Sequence, residues 1–401
     1  MTIQRAYNTE LRLNNTQRTF CLKSAGVARF AYNWGLRIKQ DEYKATGKSP
    51  SAMELHRRLN VLKQTDFPWM YDVSKCAPQE ALRNLDRAFE NFFRRVKQGE
   101  KAGYPRFKSK KRGVGSFRLT GAIHVTQTHI QLPRLGRLRL KECGYLPTVA
   151  KILSATVSEK AGRWFVSVHV EEDIPTPKRN DTACGVDVGI SALATLDNGT
   201  QFANPKALSH LQERLTRAQR SVSRKTKGSQ NRKQAVKRLA RVHSRIACVR
   251  KDAIHKATTM ITKSFGVIGM ETLNVSGMMK NHRLASAISD ASFAEFHRQV
   301  AYKAAWRGGK VVKADRFFAS SKTCSACGTK KDTLALSARV FVCDVCGATL
   351  NRDVNAAINL KQHTVSSTGI NARRDGKVQP SGGVRQRSEK KTPSNTSVLF
   401  G

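Results

Sequence analysis

Apolar positions change their period several times along this chain, and each change predicts an element. Residues 1–20 alternate modestly between apolar and polar, which predicts a first strand over 1–15. From about Asn15 the period lengthens, and Val27, Phe30, Ala31 and Trp34 share one helical face. A further helix is expected over 78–97, with Pro78 in its first turn. It carries Leu82, Leu85, Phe89 and Phe92 on one side and Arg83, Arg87 and Arg94 elsewhere. Alternation returns over 122–172 as HVTQTHIQLP, RLRLKE and ILSATVSEKAGRWFVSVHVEE, the last turning at Ala161-Gly162. The Pro-containing stretch from Ile174 to Asp181 reads as a linker and a domain boundary.

Beyond the linker the organisation changes. CGVDVGISALATLDNGTQF (184–202) reads as strand, turn and strand, with the turn at Asp197-Asn198-Gly199. Residues 206–264 read as a long basic helical hairpin with its tip at 225–231, and FGVIGMETL (265–273) as a buried strand ending in an acid. An amphipathic helix over 286–307 and a strand over 310–316 follow. Strands alternating with helices, one long crossover included, predict an α/β domain with a central mixed sheet. After His363 apolar residues thin out, so 364–401 is expected to be a disordered basic tail.

Length adds a prior of two to four domains for 401 residues, and 39% hydrophobic content suffices for their cores. No stretch approaches the roughly 20 apolar residues of a membrane span. The opening MTIQRAYNTELRL has no apolar leader core, so a reducing cytoplasm is expected. Charge narrows the partners most: 72 Lys+Arg against 29 Asp+Glu leaves +43, with a pI near 10.5. Self-repulsion on that scale destabilises a compact fold unless a polyanion neutralises it. Nucleic acid is the expected polyanion, because the basic stretches lack the broad apolar face of a membrane binder. In GYPRFKSKKRGVGSFRLTG (103–121), Tyr104, Arg106, Lys108, Lys110 and Lys111 interleave an aromatic with cations. That pattern suits phosphate contacts plus stacking, although a solvated basic loop has the same composition.

Two groups of residues carry candidate chemistry. Cys324-Ser-Ala-Cys327 and Cys343-Asp-Val-Cys346 form two CxxC pairs with fifteen residues between them, the spacing of one structural, four-thiolate zinc site. Gly328 and Gly347 help each pair to turn. The remaining cysteines (Cys21, Cys76, Cys143, Cys184 and Cys248) are scattered and read as ordinary buried or surface residues. Asp187 lies in an apolar strand between Gly185 and Gly189, whose bare backbone would admit a phosphate or an ion. Glu271 ends another apolar strand, and Asp353 opens the run VNAAINL. Three such acids can converge on a pair of Mg²⁺ ions, though each also suits a turn or a helix cap.

Taken together, GVDVGI (185–190), IGMETL (268–273), SSKTCSACG (320–328), FVCDVCG (341–347) and NRDVNAAINL (351–360) resemble the successive motifs of the TnpB family. FAYNWGL (30–36), QEALRNLDRAF (79–89) and GYPRFKSKK (103–111) resemble the same family, so the likeness runs to about residue 363. TnpB proteins are encoded by insertion sequences and are the apparent ancestors of type V CRISPR effectors. The resemblance implies an RNase H-like (RuvC) nuclease domain over 182–319, with 206–264 as its basic hairpin, a zinc ribbon over 320–350 inserted in it, and a last RuvC segment over 351–363. It implies a wedge-like β-barrel, strand 1–15 plus 101–174, holding an inserted helical recognition domain over 16–100. Asp187, Glu271 and Asp353 would be its catalytic, Mg²⁺-binding carboxylates. Guide RNA from the chain's own locus and double-stranded target DNA would be its partners, with no membrane and a monomeric protein. Lys75, Gln79 and Thr120 occupy places matching the readers of the target-adjacent motif.

One departure stands out. Asn351-Arg352-Asp353 replaces the family's usual Asp-Arg-Asp, so metal affinity is expected to fall while activity survives. The intact trio of acids weighs against an RNA-guided repressor without cleavage. A DNA-joining transposase would call for a separate end-recognition module such as a helix-turn-helix, which the sequence does not display. A basic ribosome-associated zinc protein would leave the three acids unexplained.

Overall fold

The computed structural model describes residues 1–177, 180–335 and 337–369. It is a mixed α/β protein with two large sheets. Strand β1 (Thr2–Arg12) buries Ile3, Thr9 and Leu11 on one side, the alternation of a half-covered strand. Helix α1 (Asn15–Thr46) begins at a capping box: Gln17 N donates to Asn14 Oδ1 at 2.8 Å and Asn14 N to Gln17 Oε1 at 3.1 Å. It is followed by α2 (Ala52–Thr65) and α3 (Cys76–Lys97). The sequence pattern does not mark α2, because charged residues fill the exposed side around its buried Leu55 and Leu59.

Six strands complete the first sheet: β2 (Ser116–Leu119), β3 (His124–Val125), β4 (His129–Leu132), β5 (Gly136–Leu140), β6 (Lys151–Lys160) and β7 (Arg163–Asp173). Their order is β2-β6-β7-β1-β5-β4-β3, and every neighbouring pair is antiparallel. Two expectations need correction. SFRL, read as part of a loop, is a strand with Phe117 and Leu119 buried. HVTQTHIQLP is two strands, because Thr126 N turns back to His129 O at 2.8 Å.

The second sheet contains β8 (Ala183–Asp187), β9 (Ala192–Leu196) and β10 (Gln201–Ala203). The helical hairpin α4 (Ala207–Ser223) and α5 (Gln230–Ser264) leads to β11 (Val267–Met270). Short helices α6 (Val275–Met278) and α7 (Ala285–Ala291) precede α8 (Phe293–Trp306) and β12 (Lys310–Lys313). The order is β10-β9-β8-β11-β12, with β8, β11 and β12 parallel and the others antiparallel. The single helix expected over 286–307 is broken at Ser292, whose φ of 55° lies in the left-handed region.

A hairpin of β13 (Val340–Val342) and β14 (Thr349–Asn351) leads directly into α9 (Arg352–Thr368). Order therefore continues five residues past His363, because Thr364 is fully buried and its hydroxyl donates to Leu360 O at 2.7 Å. The rest of the expected tail, 370–401, and residues 178–179 of the linker lie outside the described residues. No helix among the described residues is long and apolar enough to cross a membrane.

Candidate functional site

The register of two strands and the seat of one helix bring the three acids together. β8 and β11 pair in parallel with Gly185 opposite Gly269 and Val186 opposite Met270. Asp187 and Glu271 come one residue later, so both carboxylates leave the same end of neighbouring strands. Each lies two residues beyond its glycine and so shares that glycine's face of the sheet. Helix α9 lies on this face. A Cβ at Gly185 would stand 1.8 Å from Ala357 O, and one at Gly269 would stand 2.0 Å from Thr364 Oγ1 and 2.7 Å from Leu360 O. Asp353 is one turn ahead of Ala357 on the same helical stripe, which carries it to the strand ends. Sequence reasoning took the glycine before Asp187 as an opening for phosphate or an ion. That space at Gly185 belongs to α9.

The three charges interact. Asp187 retains some exposure as a residue, but its carboxyl group is the deep part. Burial pushes its pKa well above the usual carboxylate range, Glu271 and then Asp353 push it further, and Arg352 opposes them. Acids that raise a neighbour's proton affinity form a donor set suited to a hard divalent cation, whose charge reverses the direction of the shift. The set is more open than the cysteine cluster: among the described residues only the four cysteines have ligand atoms all within 4.8 Å of one another. Ser320 Oγ, almost fully buried, donates to Glu271 Oε1. Asn351 caps α9, its Oδ1 accepting from Asp353 N at 2.9 Å and Val354 N at 3.3 Å. An aspartate there would cap equally well, so the departure preserves the local fold.

Each CxxC pair folds as the sequence predicts. Gly328 N donates to Cys324 O at 2.9 Å and Gly347 N to Cys343 O at 3.1 Å, with both glycines at positive φ (80° and 71°). The sulfurs of Cys324 and Cys346 are 3.7 Å apart and those of Cys327 and Cys343 3.5 Å apart. A tetrahedral zinc with bonds of about 2.3 Å has edges of about 3.8 Å, so the four thiols fit that ion.

Sequence reasoning missed what joins this knuckle to the acids. Asn355 Nδ2 donates to Thr323 O at 2.7 Å, and Asn355 Oδ1 accepts from Ser325 N at 2.9 Å. Asn359 Nδ2 donates to Ser320 O and to Thr323 O, both at 2.7 Å. Both asparagines are buried, and Arg352 Nη1 adds a bond to Ala338 O at 3.2 Å. Helix α9 is thus clasped between the glycine pair of the sheet and the cysteine knuckle. The available signal was two asparagines four apart in the otherwise apolar run VNAAINL (354–360), which require buried partners.

The remaining sequence-predicted residues lie in the first sheet and its helices. Lys75 and Gln79 flank Cys76 at the start of α3, and Cys76 Sγ lies 3.5 Å from Thr120 O at the end of β2. Those three candidates therefore share one surface, with Lys75 exposed. The loop carrying the others is fastened to α1: Asn33 exchanges hydrogen bonds of 2.8 and 2.9 Å with the Lys108 backbone. Lys108 Nζ lies 3.8 Å from the Tyr32 ring centroid, and burial lowers its pKa. Tyr104 packs edge-on against Phe89 and Phe92, while Arg106, Lys110 and Lys111 are exposed.

In this basic mixed α/β protein the cysteine knuckle and the three neighbouring acids thus meet on one helix. Family models match over most of the chain: one described as a probable transposase over residues 156–282 and the Cas12f1-like TNB domain over 293–360. A model described as a helix-turn-helix domain matches residues 1–48, which here are one strand and one uninterrupted helix. A Streptomyces pristinaespiralis protein named "Putative RNA-guided DNA endonuclease" is 36% identical over 97% of this chain and 96% of its own. InsQ of Escherichia coli K12, named likewise, is 33% identical over 88% of this chain and 91% of its own. A solved CRISPR mini-RNA-guided endonuclease aligns at TM-score 0.49 and 9% identity over 90% of this chain and 92% of that one. The chain belongs to the TnpB family of insertion-sequence proteins.

Proposed function

We propose that this chain is an RNA-guided DNA endonuclease of an insertion sequence, cutting guide-complementary double-stranded DNA beside a short target-adjacent motif. The observation that carries the reading is the meeting of Asp187, Glu271 and Asp353 at one end of a parallel strand pair, in a chain of net charge +43. The names of relatives at 33–36% identity over nearly the full length support it. On this reading the second sheet and its helices form the RuvC domain, with 320–350 as its zinc ribbon. The first sheet is the wedge-like barrel, and α1 to α3 are the recognition domain.

Two Mg²⁺ ions, when bound, supply Lewis-acid activation of water and stabilise the leaving oxygen of the phosphodiester. The chain's own residues do the rest. Asp187, Glu271 and Asp353 would hold the ions; Ser320 orients Glu271 through its hydroxyl; the capped start of α9 sets the height of Asp353. Target sequence is read by pairing with the guide, so the protein needs backbone contacts and one short motif reader. Lys75, Gln79 and Thr120 take the motif, and Tyr104, Arg106, Lys108, Lys110 and Lys111 contact the nucleic-acid backbone. The protein works as a monomer in the bacterial cytoplasm, on the nucleoid.

The test is cleavage of a plasmid library by protein co-expressed with RNA from its own locus. The library pairs a guide-matched target with randomised flanking bases. Depletion of one flanking motif, abolished by Asp187→Ala, is the expected result. Guide-dependent binding without depletion would make the chain a repressor, and neither binding nor depletion would overturn the guided reading.

A further inference from the structure

The turn between β12 and the first cysteine pair is fastened at both ends beside Glu271. At one end Ala314 O accepts from Thr272 Oγ1 at 2.7 Å; at the other Ser320 Oγ donates to Glu271 Oε1. Between them Phe318 N donates to Asp315 O at 3.0 Å, and the Phe318 ring packs 4.9 Å from the His363 ring of α9. Phe317 stands at the crest, three residues from each anchor, so its Cα lies within about 11 Å of both. The residue is 88% exposed, with the Arg316 guanidinium 5.5 Å from the ring centroid. Single exposed apolar residues are ordinary on protein surfaces. This ring differs because its turn is pinned at three points, one end bonded to Glu271 itself and the other to its chain neighbour Thr272.

We propose that Phe317 is a stacking post for the DNA strand being cut. One unpaired base of that strand lies on the ring, and Arg316 takes an adjacent phosphate. The scissile phosphodiester is thereby held against Asp187, Glu271 and Asp353. An aromatic face accepts every base, so the post adds grip without sequence preference, as a guide-directed cutter requires. Phe317 is a substrate-positioning residue in this scheme, and the inference rests on the nuclease reading of the three acids.

The experiment uses the full chain assembled with its RNA, a labelled target duplex, and a series of duplexes carrying one abasic site stepped through the cut region. Phe317→Ala is expected to slow single-turnover cleavage by about 5- to 150-fold, the loss of one base stack, with guide-dependent binding and thermal stability unchanged. Phe317→Trp is expected to restore the rate to within about threefold. Wild-type protein should lose a similar factor at one or two abasic positions, where Phe317→Ala loses nothing further. A structural role for the ring would not produce that position-specific non-additivity. Equal losses for wild type and Phe317→Ala at every abasic position, or wild-type cutting by Phe317→Ala, would overturn the stacking post. Cutting by Asp187→Ala at the wild-type rate would instead overturn the nuclease reading beneath it.

Discussion

Substituting Gly185 with alanine tests whether the seat of α9 sets the carboxylate geometry. The new Cβ would stand 1.8 Å from Ala357 O and 2.6 Å from Lys361 N, both backbone atoms of α9. Opening 1.8 Å to a tight contact of roughly 3.2 Å moves the helix by about 1.4 Å. Overpacking of this kind costs about 1–3 kcal/mol, and two rigid backbone clashes place Gly185→Ala near the upper end. A displacement of about 1 Å at reacting groups costs on the order of 100-fold in rate, and Asp353 rides on the displaced helix. Expected, then, are a stability loss of about 3 kcal/mol in urea and a fall of about 100-fold in single-turnover cleavage, with guide-dependent DNA binding retained. Gly26→Ala is the control: inside α1 its Cβ would meet only Arg29 Nη2 at 3.9 Å. It should gain about 0.5–1 kcal/mol and leave cleavage unchanged. Cleavage by Gly185→Ala within about threefold of wild type would refute the claim that α9's seat sets Asp353, whatever happened to stability.

Removing the metal from the cysteine knuckle, by chelation or by Cys343→Ser, should release about one zinc per chain and lower cleavage more than guide binding. Metal analysis beside the two assays checks this, and full cleavage by zinc-free protein would contradict it. Asn359→Leu leaves Ser320 O without its side-chain donor and Thr323 O with Asn355 alone, and should cost about 1–3 kcal/mol with reduced cleavage, measured by denaturation and rate. Burial lowers His297 from the usual 6.5 to about 4, so between those values the unfolded chain binds more protons and stability falls as pH falls. Wild type should therefore lose about 2.5 kcal/mol more than His297→Phe between pH 7 and pH 4.5 in paired urea titrations; equal losses would contradict the assignment.

Much of the chemistry was legible along the chain, because short-range rules govern it. Spacing alone identified Cys324, Cys327, Cys343 and Cys346 as one cluster, since two CxxC turns with positive-φ glycines can close on one ion wherever they lie. Hydrophobic period located α3, α5, β6 and β7, whose apolar faces repeat for several turns or strand residues. It missed α2, whose two buried leucines sit among charged residues, β2, which has only four residues, and the break at Ser292, where one left-handed residue interrupts the helical pattern. Charge marked nucleic acid as partner without locating any contact, because exposed lysines look alike in every fold.

The acids show the division most clearly. From sequence, Asp187, Glu271 and Asp353 were three residues of suitable type at element ends, up to 166 positions apart by number. Their meeting depends on pairing Gly185 with Gly269 across parallel strands, and on α9 entering the space that two missing side chains leave. Register and helix approach are properties of long-range packing, set by which backbones can come within contact distance, and no local pattern encodes them. Local pattern was enough to single out the acids, the charge and the knuckle; long-range packing alone made Gly185 the seat of a helix rather than of a phosphate, and brought the third acid to the other two on that helix.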